Sequence, residues 1–120
     1  MQHSPGFVAL VESILPTITE ISASDYLQQA DRWTLIDVRE DHEWQLDHLP
    51  NAVHIGRGIL ERDIEQRFPD KSTLLVRYCG GGYRSALSCH HLQLMGYNKV
   101  LSLAGGYRGW CDSQLPVVMD

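Results

Sequence analysis

Several things are scarce in this 120-residue chain, and each scarcity removes a class of protein. Cysteine occurs three times, at positions 79, 89 and 111. An odd count closes no full disulfide framework, and the spacing matches no zinc pattern. A reducing compartment, the cytoplasm, is the expectation. Positive charge is also short: 10 Lys and Arg stand against 15 Asp and Glu, a net charge of -5. That argues against a general binder of nucleic acid or of an anionic membrane, while leaving room for a local basic pocket. Long apolar runs are missing. The stretch GFVALVESILP is interrupted by Glu12, has no Lys or Arg ahead of it and is too short to span a bilayer. Repeats, linkers and low-complexity segments are absent as well. What is present, 43% hydrophobic residues in a chain of domain size, suffices for one packed core.

Phe7, Leu10, Val11 and Ile14 recur at helical spacing and predict an amphipathic helix over 6–15, ending before Pro16. It either packs on its own domain or offers a partner or dimer surface. The segment 16–22 reads as a short strand, and Ser22 followed by Asp25 as the start of a helix. WTLIDVR (33–39), NAVHI (51–55), STLLVRYC (72–79) and KVLSLAGG (99–106) read as further strands. Residues 59–68 and 84–96 read as helices, the second stopped by Gly96, and YRGWCDSQ (107–114) starts a last one. This alternation predicts an α/β domain with a mostly parallel sheet. The chain divides into an N-terminal helical extension, 1–17, and one domain, 18–120.

The stretch YCGGGYRSA (78–86) carries the chemistry. Cys79 ends a predicted strand and a helix begins near Arg84, so the thiol lies in a strand-to-helix turn on the ligand side of the sheet. Gly80, Gly81 and Gly82 permit unusual dihedrals and close backbone approach. Such a loop can turn its N–H groups inward as an anion cradle. The helix dipole, and Arg84 if it turns toward the site, favour thiolate over thiol. A buried cysteine at a tight connection is the plainer alternative. The combination of a strand-end cysteine, three glycines and an Arg-Ser helix start points instead to a reactive thiol. Cysteine-dependent phosphatases place one residue more between Cys and Arg than the four found here. The shorter loop makes a smaller ring of N–H groups, better suited to a single sulfur than to a tetrahedral phosphate.

This spacing resembles the rhodanese (sulfurtransferase) family. LIDVREDHEWQLDHLPNAVHI (35–55) is similar to the family's upstream signature and GGYRGW (105–110) to its C-terminal one. The three signatures together cover residues 18 to 117. The resemblance implies a three-layer fold, helices on both faces of a sheet of about five strands. It also implies a mechanism in which Cys79 takes sulfur from a small donor, thiosulfate or a related thiol donor, and becomes a persulfide. Gly80, Gly81, Gly82, Tyr83, Arg84 and Ser85 would form the cradle for the terminal sulfur, and a thiol or cyanide would accept it. No metal or organic cofactor is implied. A protein persulfide is a further candidate donor, and nucleic acid and membrane are not expected partners.

The sequence departs from the pattern in places. Many thiosulfate-using members carry Arg directly after the cysteine; here it is Gly80, which removes a cation able to grip a sulfonate. Mercaptopyruvate-using relatives share Gly80 and Gly82 but not Gly81, Tyr83 or Arg84, so the donor stays open. Asp47 and Asn51 stand where glycines are usual, and both suit turns. Asp37 and Arg39, at a strand end, read either as a supporting ion pair or as a substrate contact by Arg39. Glu40 and His48 are expected to be structural. Arg57 either approaches the rim or belongs to a flexible turn. Ser85 either bonds the thiolate or caps the helix, while Tyr83 is expected to shape the entrance and Trp110 to anchor the core. Cys89 reads as a small buried hydrophobe, and nothing marks Cys111 as reactive. His42, His48 and His54 straddle a loop and a strand, which argues against a shared metal face; of His90 and His91 at least one should be solvated. The competing function is a non-catalytic module of the same fold that binds a partner or senses redox or sulfur state; helix 6–15 is the surface an oligomer could use if it does not pack on its own domain.

Overall fold

A computed structural model describes residues 4–80 and 83–119, with backbone alone for 83–85. Gly81 and Gly82, and the side chains of Tyr83, Arg84 and Ser85, which the sequence assigns to the cradle, lie outside the described residues. Five strands make the sheet: β1 (Thr19–Ile21), β2 (Thr34–Asp37), β3 (Val53–His54), β4 (Leu75–Tyr78) and β5 (Val100–Leu103). Their order is β1-β5-β4-β2-β3, and every pairing is parallel. The helices are α1 (Pro5–Ile14), α2 (Ala23–Gln28), α3 (Asp41–Leu46), α4 (Leu60–Arg67), α5 (Tyr83–Leu94) and α6 (Gly106–Asp112). None of the described helices is long and apolar enough to cross a membrane.

Each predicted strand and helix has a counterpart, with trimmed ends. The strand expected over 16–22 keeps only Thr19–Ile21, because Leu15–Thr17 winds into a 3-10 turn around Pro16. Ser22 caps α2, its hydroxyl accepting from the Asp25 N–H at 3.1 Å. α3 has no counterpart in the sequence reading. It is six residues long and largely polar, and a capping box, with the Glu40 N–H donating to the Glu43 carboxylate at 2.9 Å, starts it. Gly96 ends the α5 region with φ +102, and Asn51 occupies a left-handed turn at φ 67, a conformation asparagine tolerates.

The sheet separates two cores. On one face Ile36, Leu75 and Val100 meet Leu60 and Ile64 of α4 and Cys89 and Leu92 of α5. On the other, Leu35, Val76 and Leu103 meet Tyr26 of α2 and Trp110 of α6. α1 lies against α5 and buries Val11 and Ile14, leaving Leu10 exposed. The C-terminal tail returns to the body: His48 and Val118 form an antiparallel bridge, and the Trp110 indole donates to the Pro116 carbonyl at 2.8 Å.

β4 runs through the middle of the sheet and is wholly buried. Alternation sends Val76 and Tyr78 to one core and Leu75 and Arg77 to the other. Arg77 is 0% exposed, and none of its three guanidinium nitrogens has a hydrogen-bond partner among the described residues. Burial lowers it to about 10, with Cys89 and Tyr97 pulling the other way, so it stays a cation at neutral pH. A core cation without a partner is a net cost to folding. Replacing it by an apolar side chain of similar length, Arg77→Met, is expected to stabilise the protein by about 1–4 kcal/mol. A urea melt with an unchanged slope reads this; a lower midpoint would show that the guanidinium earns its place.

Candidate active site

The parallel sheet gathers the carboxyl ends of its strands on one edge, and the loops there come from every part of the chain. Cys79 follows β4 directly and is 1% exposed. α5, ten residues away from Cys79 at Cys89, starts at Tyr83 and so opens toward the turn that holds the thiol.

The described wall of the turn is α6. Its first N–H groups are taken by the turn itself: the Tyr107 N–H donates to the Cys79 carbonyl at 2.7 Å and the Arg108 N–H to the Gly80 carbonyl at 2.9 Å. Helix starts leave such donors unsatisfied, and here the site's own carbonyls satisfy them. Because a trans peptide places N–H opposite C=O, the Gly80 N–H points away from α6. Gly106 makes this contact possible. It has φ +58, and a Cβ built on it would lie 2.5 Å from the Cys79 oxygen.

A second layer supports the wall. Asp37, 0% exposed at the end of β2, accepts from the Arg39 N–H at 2.8 Å, from Arg39 Nε at 3.0 and 3.1 Å, and from the Tyr78 hydroxyl at 2.6 Å. The Tyr78 oxygen in turn accepts from the Leu49 N–H at 3.1 Å. Burial first, then the Asp37 charge and hydrogen bond, push the Tyr78 phenol far up. Burial pulls the Arg39 guanidinium down, but its hydrogen bond and charge contact with Asp37 outweigh this and the net displacement is upward. Arg39 Nη2 also donates to the Asp47 carbonyl at 2.6 Å, and its guanidinium lies 4.3 Å over the Tyr107 ring. Tyr107 closes the circuit, its hydroxyl donating to Asp47 Oδ1 at 2.6 Å. That bond, then burial, then neighbouring Cys111, raise the Tyr107 phenol. Arg39 is therefore 3% exposed and engaged by Asp37, an ion pair that supports the loop.

Beside the turn lies a groove of about 370 Å³, lined by Arg39, Asp47, Gly80, Tyr107, Arg108 and Cys111 among others. Cys111 is partly exposed there, whereas Cys89 is buried in the opposite core. Other sequence candidates sit away from it. Arg57 pairs with Glu61 of α4 at 2.9 Å and meets His91 of α5 at 3.1 Å, while His91 also contacts Glu61. His48 and His54 both stack on Trp44, with ring centroids 3.5 and 5.0 Å from it. His54 Nε2 lies 2.9 Å from the Arg39 carbonyl. Trp110 is buried in the core below α6. Tyr107, Asp47 and Arg108 escaped the sequence reading as a unit, since 60 residues separate Asp47 from Tyr107 and no local pattern links them.

The Gly106 contact yields a direct prediction. Gly106→Ala puts a methyl group against a fixed carbonyl at a positive φ, and is expected to destabilise the fold by about 2 kcal/mol or more. Chemical denaturation measures this. Wild-type stability in the variant would mean that the turn can move off α6.

The family profile described as a Rhodanese-like domain matches residues 22–113. GlpE of Vibrio cholerae, named a thiosulfate sulfurtransferase, is 26% identical over 98 residues, covering 82% of this chain and 91% of that protein. The chain spans about half (51%) of YrkF of Bacillus subtilis, at 29% identity, and 23% of the Candida albicans adenylyltransferase and sulfurtransferase UBA4, at 36% identity. Among solved structures, the polysulfide-sulfur transferase homodimer of Wolinella succinogenes is 27% identical with a TM-score of 0.78, covering 96% of this chain and 88% of that one. A Rhodopseudomonas palustris protein described as a possible tyrosine phosphatase superposes with a TM-score of 0.85 at 25% identity, over 98% of both chains. With that profile spanning most of the chain, over a parallel sheet whose central strand delivers a cysteine to a helix start, the protein belongs to the rhodanese-like sulfurtransferase family.

Proposed function

We propose that the chain moves sulfane sulfur from a small donor to a nucleophilic acceptor through a persulfide on Cys79, with residues 18–120 as the transferase domain and 1–17 as an added helix. The observation that carries this reading is the position of Cys79: the residue directly after the central strand, in the turn before α5, with its carbonyl and that of Gly80 tied back to α6. With thiosulfate as donor, the Cys79 sulfur attacks the outer sulfur, a new S–S bond forms, the donor's S–S bond breaks, and sulfite leaves with the electron pair. The bound sulfur is then anionic. Cyanide attacks it, thiocyanate leaves, and Cys79 returns as thiolate. Each half-reaction balances without an oxidant, metal or organic cofactor. Backbone N–H groups of residues 80–85 are the proposed stabilisers of the outer sulfur, with Arg84 and Ser85 beside them.

Intact mass of the protein after thiosulfate tests the proposal. The expected result is the gain of one sulfur atom, lost again on adding cyanide and never gained by Cys79→Ser. Arg84→Ala is expected to slow loading. Full transfer activity in Cys79→Ser would sink the mechanism; absence of any adduct from thiosulfate and from mercaptopyruvate would favour the partner-binding or sensing module.

A further inference from the structure

We infer that Arg108 is the residue that grips the anionic end of the sulfur donor, an oxyanion group such as the sulfonate-like end of thiosulfate, and so sets donor specificity. The inference rests on the sulfurtransferase reading above. Residue 80, next to the nucleophile, is glycine and brings no charge to the mouth of the turn. Arg108 is fastened to that glycine: its backbone N–H donates to the Gly80 carbonyl at 2.9 Å, and both residues line the same groove. Its side chain is exposed.

The other described arginines are committed elsewhere. Arg39 is held by Asp37, Arg57 by Glu61 and Arg62 by Asp63; Arg32 donates to Gln29, Arg67 reaches the His54 carbonyl, and Arg77 is sealed in the core. Among the described residues Arg108 is the exposed arginine whose guanidinium has no hydrogen bond or ion pair. Among the described residues, none of the groove's carboxylates forms an ion pair with it. Within the groove, Glu43 accepts from the Glu40 N–H and Asp47 from the Tyr107 hydroxyl. Asp112 stands one turn further along α6 without pairing to Arg108, and exposed pairs at that spacing are weak. A planar fork of donors beside a short groove suits an oxyanion with two or three equivalent oxygens. The thiol end of such a donor would then face the turn, and the departing sulfite would leave through the groove.

Steady-state kinetics on the full chain, with thiosulfate and cyanide both varied, test the assignment. In a ping-pong enzyme kcat/KM for each substrate reports its own half-reaction alone. Arg108→Ala is expected to lower kcat/KM for thiosulfate about ten-fold or more, the loss of one hydrogen-bonded charge contact, while kcat/KM for cyanide stays within about two-fold. Arg108→Lys should recover part of the loss and Arg108→Glu deepen it. Equal falls for both substrates would mark a structural effect and overturn the inference. So would an unchanged thiosulfate value in a variant that still forms the Cys79 adduct. A wild-type protein that forms no adduct with thiosulfate or mercaptopyruvate would instead overturn the sulfurtransferase reading itself, and this inference with it.

Discussion

The buried Asp37 carboxylate is the constraint on which the ligand edge of the sheet depends. A carboxylate with no water must be met by donors on all sides, and it collects them from the next loop (Arg39) and from the neighbouring strand (Tyr78). The consequences spread outward. Tyr78, fixed by Asp37, receives the Leu49 N–H; Arg39, fixed by Asp37, reaches the Asp47 carbonyl; Tyr107 lies over Arg39 and bonds Asp47; and the Tyr107 N–H holds the carbonyl of Cys79. An unbroken set of short contacts thus joins one carboxylate to the thiol's own peptide unit. The arrangement explains why residues far apart in sequence must be of fixed chemical type.

The two buried arginines illustrate opposite uses of the same side chain. Arg39 is held by a carboxylate, the Asp47 carbonyl and two aromatic rings, and organises a loop. Arg77, two residues before Cys79, has none of these among the described residues. Its position in the middle strand forces it inward, since β4 has neighbours on both sides and cores on both faces. The fold carries this penalty without losing its packing, which says that the surrounding apolar burial is ample.

Much of this was readable before any coordinates. Alternating apolar runs and helical periods located all five strands and five of the six helices, because buried parallel strands are continuous apolar runs and Gly96 and Ser22 mark helix ends. α3 was not readable: Asp41–Leu46 is short and polar, and its capping box lies inside a charged stretch. Arg77 hid within a run otherwise apolar. The cysteine turn was legible from its glycines and its spacing to Arg84, and Gly106 from its signature. The groove was not. Asp47, Tyr107 and Arg108 meet only because the parallel topology brings separate loops to one edge, and the distance between them in sequence erases any local trace.

The strand order has a consequence for solubility. An all-parallel sheet leaves two open borders, here β1 with three residues and β3 with two. Long, flat borders recruit strands from other molecules, and these are too short to template such growth. The three longer strands, β2, β4 and β5, lie inside, where each ladder is already occupied on both sides. The same placement that puts Cys79 at the tip of the central strand therefore also keeps the sheet from becoming a seed for intermolecular assembly.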